Sequence, residues 1–420
     1  MRYKGNGSVA GLNEKPRPMV LLCATMWWPL SARIASAFLR QGCRVAAICP
    51  PGHPLRFVRG IEPVLLYKGL DSIGSLKRAI VQVQPELIVP CDDGVVWQLH
   101  AIHAEHAELR SLIERSLGAS ESYATIRSRG GMLKVAQELG IRVPRTVTVA
   151  TEADVKASWK GEPAVLKLDG TWGGSGVVIA RSLAEALAAF QKLSQPVGAS
   201  VAWKRWLINH EPIALWSWKK HDPASITMQE FIAGRPANTM FACWQGEVLG
   251  IVSVEVITAQ GLTGAATVVR LIQNKEIEEA ARKLAKKFHL NGFHGLDFVM
   301  DESNGAAYLI ELNPRTTQLG HLRLPGQGDL ASAISAKLNA EPVAQADDLA
   351  SVEGETIAFF PQALQWNPNS PYLTSGYHDV PHDEPSLERE LMRKAWPYRR
   401  WLYRLYHHFR EVEHQEEVKF

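Results

Sequence analysis

The stretch Lys167–Val177, KLDGTWGGSGV, decides how this chain is read. It follows an apolar run, Ala164–Leu168 (AVLKL), and a second run, Val177–Ala180 (VVIA), resumes directly after it. A loop rich in glycine lets bare backbone approach an anion and offer it N–H groups. Two familiar phosphate loops are excluded here. No G-K-[ST] follows the glycines, and no G-x-G-x-x-G opens a helix. The order that is present, strand, lysine, glycine loop, strand, predicts a β-hairpin flap.

A second stretch, residues 293–315 (FHGLDFVMDESNGAAYLIELNPR), predicts another hairpin with its turn near Asn304 and Gly305. Asp297 and Glu311 lie at equal distances from that turn, so they face each other to within a residue. Asn313, two residues beyond Glu311, points to the same side. Phe298 and Leu312 point to the core. Directly opposed carboxylates repel, and something must offset that. Two carboxylates and an amide oxygen suit a hard cation, Mg²⁺ or Mn²⁺. The other reading is one acid at a solvated edge and its neighbour paired with an arginine such as Arg315.

Around these two stretches the chain organises simply. Residues 1–18 are polar, with Gly, Arg and Pro, and read as a disordered leader rather than a signal peptide. Residues 19–125 alternate strand and helix (MVLLCAT, SARIASAFLRQ, then ELIVP), which predicts a parallel sheet covered by helices. Ser31 is a candidate helix cap. Ligands of such sheets bind beyond the strand C-termini, where Trp27, Trp28, Asp92 and Asp93 fall. The two aspartates either line a site or cap a helix. Residues 126–345 form a mixed α+β region, with a flap lobe at about 145–230 and a lobe holding the carboxylate hairpin at about 231–345. Residues 346–420 form an extension ending in a basic, aromatic helix (LMRKAWPYRRWLYRLYHHFRE, 391–411) that Pro397 interrupts. That helix packs on the core, makes a dimer contact, or touches a membrane surface.

Composition sets the class. The chain has 420 residues, 46% hydrophobic and 21% charged, with a net charge of +3. That charge is too small to argue for nucleic acid. The five scattered cysteines contain no C-x-x-C and suit reduced thiols in the cytosol. No apolar run is long enough to span a membrane.

The ordered motifs resemble the ATP-grasp superfamily. They are Lys167 with Gly173, Gly174, Ser175 and Gly176; Gln229, Glu230, Phe231 and Ile232 with Gly234; Asp297; and Glu311-Leu312-Asn313-Pro314-Arg315. The resemblance covers about residues 125–340, and residues 19–125 resemble the pre-ATP-grasp domain. The fold it implies is α/β and α+β: a Rossmann-like pre-ATP-grasp domain followed by a two-lobed ATP-grasp core. Lys167 would then contact the α/β phosphates of ATP, and Gly173–Gly176 would close over the β/γ phosphates. Gln229–Ile232 would hold adenine. Asp297, Glu311 and Asn313 would ligate Mg²⁺ (or Mn²⁺). Arg315 and Arg270 would steady the reacting groups. Arg129 stands where the family commonly has a first phosphate-binding lysine.

The implied reaction is ATP-dependent activation of a small carboxylate as an acyl phosphate, then attack by an amine or similar nucleophile. A carboxylation or carbamoyl-phosphate type reaction, or a nucleotide-binding regulator without turnover, are the other readings. His294 and His321 are either a general base or structural. The tryptophan-rich stretch 201–218 either walls an acceptor pocket or packs as an extra lobe.

Overall fold

The computed structural model describes residues 17–170, 176–195, 198–207, 211, 218, 225–262, 264–323, 328–342, 354–408 and 417–420. Gly173, Gly174 and Ser175 of the flap therefore lie outside the described residues. Most of the tryptophan-rich stretch beyond Leu207 and Phe409 of the last helix do as well.

Near the N-terminus, β1 (Met19–Cys23), β2 (Arg44–Cys49), β3 (Ile61–Leu66) and β4 (Leu87–Pro90) form a parallel sheet in the order β3-β2-β1-β4. β1 is buried throughout because both faces are covered. Val20 and Leu22 pack with Ile34 and Phe38 of helix Ser31–Arg40. Leu21 and Cys23 pack on the other face with Leu76 and Leu99 of helices Ser72–Val83 and Asp93–Glu105. The helix at Ser31 begins on that serine; Leu30 is the N-cap position, and no side chain caps it. The Ser31 hydroxyl is thus not the cap expected from sequence.

The second sheet is small and antiparallel: β5 (Thr146–Val149), β6 (Ala164–Leu168), β7 (Val177–Ala180) and β8 (Ile226–Glu230), in the order β5-β8-β6-β7. Leu166, Met228 and Val149 pack with Val155 and Phe190 of two helices, Glu152–Ser158 and Leu183–Leu193. By alternation Lys167 and Gln229 leave the other face. Lys167 pairs with Val177, and the Leu168 N–H donates to the Gly176 carbonyl at 2.9 Å. β6 and β7 are thus the two arms of the flap hairpin that the sequence predicts.

The third sheet is built on β9 (Gly234–Trp244), β10 (Glu247–Gln260), β11 (Ala266–Leu271), β12 (Gly292–Asp301) and β13 (Ala307–Asn313). β14 (Thr356–Ala358), β15 (Tyr377–His378) and β16 (Glu417–Lys419) join it. The order is β13-β12-β9-β10-β11-β14-β15, with β16 also on β10. The β9–β10 hairpin turns at Gln245 (φ 51°) and Gly246 (φ 80°), left-handed positions that match strand twist. One face buries Phe241, Leu296 and Phe298 against helix Lys275–Lys287. The other buries Met240, Val252 and Val254 against Ile34 and Phe38, so the first and third sheets share one core. Phe38 meets Phe293 edge-on at 5.9 Å. Each such large side chain withdraws apolar surface worth roughly 2–3 kcal/mol.

The C-terminal region is not a separate appendage, since β14, β15 and β16 complete the large sheet. Its aromatic helix comes in two pieces, Trp396–Arg399 and Trp401–His408. Pro397 sits in the first turn of the first piece, where a missing N–H costs nothing. The break falls instead at Arg400, which is extended (φ −71°, ψ 141°). Trp401 is 68% exposed and Leu405 50%, while Leu402 and Tyr403 are half-buried. Arg400 reaches back to the Leu207 carbonyl at 3.2 Å, joining this segment to helix Ala199–Leu207, in which Trp203 and Trp206 meet edge-on. No helix among the described residues is long and apolar enough to cross a membrane.

Candidate active site

Asp297 on β12 and Glu311 on β13 are direct cross-strand partners, and the strand register slips by one residue just beyond them. Gly305 (φ 72°) lies in the connection between the two strands, and the slip rather than the turn fixes this pairing. Asn313 donates its side-chain N–H to Asp297 Oδ2 at 3.0 Å. Asn238, the partner of Asp297 on β9, donates to Oδ1 at 2.6 Å. Burial pushes the Asp297 carboxyl above its usual range, and Glu311 adds to that. Burial acts the same way on Glu311, but Arg129 and Lys167 outweigh it and hold Glu311 below its usual range.

Three cations converge from other elements. Lys167, buried on β6, projects toward Glu311; burial pulls its ammonium down to about 8, with Glu311 opposing and Arg129 adding. Arg129 is the first residue of helix Arg129–Glu138 and is also buried. Its guanidinium forks, with Nη1 on Asp169 Oδ1 at 3.0 Å and Nη2 on Glu311 Oε1 at 2.6 Å. Its Nε–H is buried with no partner. Arg315, just past β13, donates to Asp93 Oδ2 at 2.9 Å and to Asn313 Oδ1 at 3.2 Å.

The structure thus brings together Lys167, Arg129, Asp297, Glu311, Asn313 and Arg315. It does not bring Arg270 with them. Arg270 pairs with Glu255 along β10 and β11, in the row that continues to Ala237 and Phe298. Asp297 lies one residue off that row, so Arg270 leaves the opposite face of the sheet. There it binds Glu255 at 2.8 Å, with its side chain 40% exposed. Arg270 as a catalytic cation is corrected on this geometry. The segment expected from sequence to hold adenine lies at the end of β8. The Glu230 N–H donates to the Arg145 carbonyl at 2.9 Å, the Phe231 N–H to the Pro163 carbonyl at 3.2 Å, and Ile232 follows directly. A cavity of about 250 Å³ borders Gln229 and Glu230 on the helix-packed side of the small sheet, away from Lys167.

Neither histidine joins the cluster. His294 is buried against Phe241, its Nε2 on the Asn291 carbonyl at 2.9 Å, and burial lowers it to about 4. His321 Nε2 lies 2.7 Å from Asp379 Oδ2, and Arg33 Nη2 donates to the other oxygen of Asp379 at 2.6 Å. That buried network ties the N-terminal helix, the loop after β13 and β15 together. It is structural.

Sequence reasoning missed Asp169 and Asn238. Asp169 sits inside the opening stretch, two residues after Lys167, and that position was the signal. Nothing local marks Asn238. Of the aspartates after β4, Asp92 is a cap: it accepts from the Val95 N–H at 3.0 Å and from Thr25. Asp93 reaches Arg315.

The donors fit a divalent cation in part. Among the described residues no group of three or more His, Cys, Asp or Glu side chains is placed to hold a metal. The available set is two opposed carboxylates and one amide, the hard-oxygen chemistry Mg²⁺ accepts when phosphate oxygens and water complete its shell. Asn313 now turns its nitrogen toward Asp297, so an amide flip accompanies any ligation through its oxygen.

Comparison with known proteins bears on the fold and on one segment of the chain. Residues 212–318 match the family model of the ATP-grasp domain, a range that takes in Gln229–Ile232, Asp297, Glu311, Asn313 and Arg315 but not Lys167. The chain is 24% identical over 316 residues to the carbamoyl phosphate synthase large chain of Thermoanaerobacter pseudethanolicus, covering 72% of this chain but only 27% of that one. Its fold is similar to N5-carboxyaminoimidazole synthetase from Staphylococcus aureus complexed with ADP, with TM-score 0.61, 14% identity, and 84% and 85% of the two chains covered. L-amino acid ligase from Bacillus licheniformis is also similar, with TM-score 0.54, 15% identity, and 82% and 79% covered. The chain thus carries a segment, residues 212–318, that matches the ATP-grasp domain, on a fold similar to that of these solved structures.

Proposed function

We propose that this chain is an ADP-forming ligase that activates a small carboxylate as an acyl phosphate with ATP and joins it to an amine or similar nucleophile. One observation carries the reading. Lys167, from the flap side, and Arg129, from a helix packed on the large sheet, meet Asp297 and Glu311 of that sheet in a single half-buried cluster. A carboxylate is a poor electrophile until its oxygen becomes a leaving group. Phosphoryl transfer asks the protein mainly to position groups and neutralise charge. Lys167 and Arg129 would bind phosphate oxygens, and the Arg129 Nε–H is a donor already free for one. Asp297, Glu311 and Asn313 would hold Mg²⁺, which when bound neutralises charge on the transferred phosphoryl group. Arg315, anchored on Asp93, would face the tetrahedral oxyanion of the second step. The flap β6–β7 would exclude water from the acyl phosphate.

The chain spans about a quarter of the curated relative reported above. Likeness to carbamoyl phosphate synthase favours a specific version of this reading, in which bicarbonate or carbamate is the carboxylate. The five free, buried cysteines support a reducing, cytosolic setting. The test is ADP release with ATP and Mg²⁺ against pooled carboxylic acids, amino acids and bicarbonate, with hydroxylamine as an acyl-phosphate trap. ADP with a hydroxamate from one acid pool identifies a carboxylate–amine ligase. ADP raised by bicarbonate alone selects the second version. Tight ATP binding with ADP release no higher than in Glu311→Gln from every pool supports a nucleotide-binding regulator instead.

A further inference from the structure

We propose that Arg129 is a latch: it holds Glu311 closed to a metal ion until nucleotide phosphates draw the guanidinium away. The inference rests on the metal-site reading above and adds an order of binding to it. Glu311 Oε1 receives Arg129 Nη2 at 2.6 Å, a charge-assisted hydrogen bond. The same guanidinium is fixed on Asp169 at 3.0 Å, and the arginine is buried. An arriving dication would therefore meet a guanidinium already on one of its two carboxylate ligands. Like charges at that range repel strongly where water is scarce.

The charge balance points the same way. Lys167, Arg129 and Arg315 face Asp93, Asp169, Asp297 and Glu311. A dication alone would turn that near-balance positive. Nucleotide phosphates reverse this by bringing negative charge and a new partner for Arg129. The guanidinium is equipped for the exchange, because its buried Nε–H has no partner and points no bond at either carboxylate. Asp169 remains to take the arm that leaves Glu311. An arginine suits this role, since its rigid fork spans two carboxylates with separate nitrogens and keeps Nε–H for a third partner, which a lysine's single nitrogen does not offer.

The experiment is Mn²⁺ binding to the full chain, followed by electron paramagnetic resonance, without nucleotide and then with ADP. ADP binding in chelator is measured separately by calorimetry. Arg129→Lys keeps the charge but loses the bridge, and Arg129→Gln removes the charge. Both are expected to bind Mn²⁺ without nucleotide roughly tenfold tighter than wild type. ADP should then strengthen Mn²⁺ binding less in the variants than in wild type. Variants that bind Mn²⁺ alone no better than wild type overturn the latch. So does a wild-type chain that binds Mn²⁺ equally well with and without ADP, whatever the variants do. If neither wild type nor variants bind Mn²⁺ even with ADP, the metal-site reading itself falls.

Discussion

Asp297 and Glu311 stand directly opposite each other on β12 and β13, yet their protons are held in opposite senses. Burial and the neighbouring carboxylate raise Asp297. Glu311 resists burial because Arg129 and Lys167 face it. Glu311 carries the direct contact to Arg129, and Glu311→Gln should cost about 100-fold or more in ADP release. Substrate-stimulated ADP release measures this, and a variant retaining most of its rate would remove Glu311 from the mechanism.

Asn238 orients Asp297 through a 2.6 Å hydrogen bond from the neighbouring strand β9. Supports of this kind are worth roughly 10- to 100-fold in metal affinity. Asn238→Ala should raise the Mg²⁺ concentration needed for half-maximal rate by that order and leave the saturated rate within a few-fold. A Mg²⁺ titration checks it.

Lys167 carries its charge at a cost, because burial lowers it from 10.5 to about 8. A cationic group with a depressed folded value binds fewer protons folded than unfolded between those two values. Its contribution to stability therefore rises as pH increases through that window. Relative to Lys167→Met, the nucleotide-free chain should gain on the order of 1–3 kcal/mol between pH 8 and 10.5. Urea melts of both chains at each pH measure the difference. ADP affinity should fall over the same range in wild type and stay flat in the variant.

Asp379 holds both Arg33 and His321 in a dry interior. Burial opposes its charge, but His321 and Arg33 win and hold it low, while burial lowers His321 as well. Both shifts mean the unfolded chain binds more protons, so stability is lost as pH falls below about 6.5. Asp379→Asn leaves buried Arg33 uncompensated and should cost about 3–5 kcal/mol in urea melts near neutral pH. A variant as stable as wild type would show that the network is dispensable.

Arg270 binds Glu255 on the sheet face away from Asp297, with its side chain 40% exposed. Arg270→Ala should change the rate less than threefold and stability by about 0–1 kcal/mol. A large loss of rate with unchanged melting would bring Arg270 back into the chemistry.

Much of this was legible in the chain itself. The two hairpins, Lys167 ahead of its glycine loop, and the facing of Asp297 and Glu311 follow from local rules. Strand alternation has a period of two, and the turn at Asn304–Gly305 sets the facing to within one residue; a bulge beyond Phe298 and Leu309 brings Glu311, rather than Ile310, opposite Asp297. The alternating strands and helices of residues 19–125 likewise imply a parallel sheet, because a parallel pair needs a crossover between its strands.

Only the tertiary structure decided which charges meet. Arg129, Asp169 and Glu311 are far apart in sequence, and their bridge forms because the helix at Arg129, the end of β6 and β13 converge. Asn238 reaches Asp297 only because β9 is the strand placed beside β12. Arg270 was misplaced for the same reason. Its motif tells the residue type, but which face of a sheet a side chain leaves depends on the register across β9, β10 and β12. The β9–β10 hairpin is local, but the β9–β12 pairing is long-range, and no short stretch of this chain encodes it.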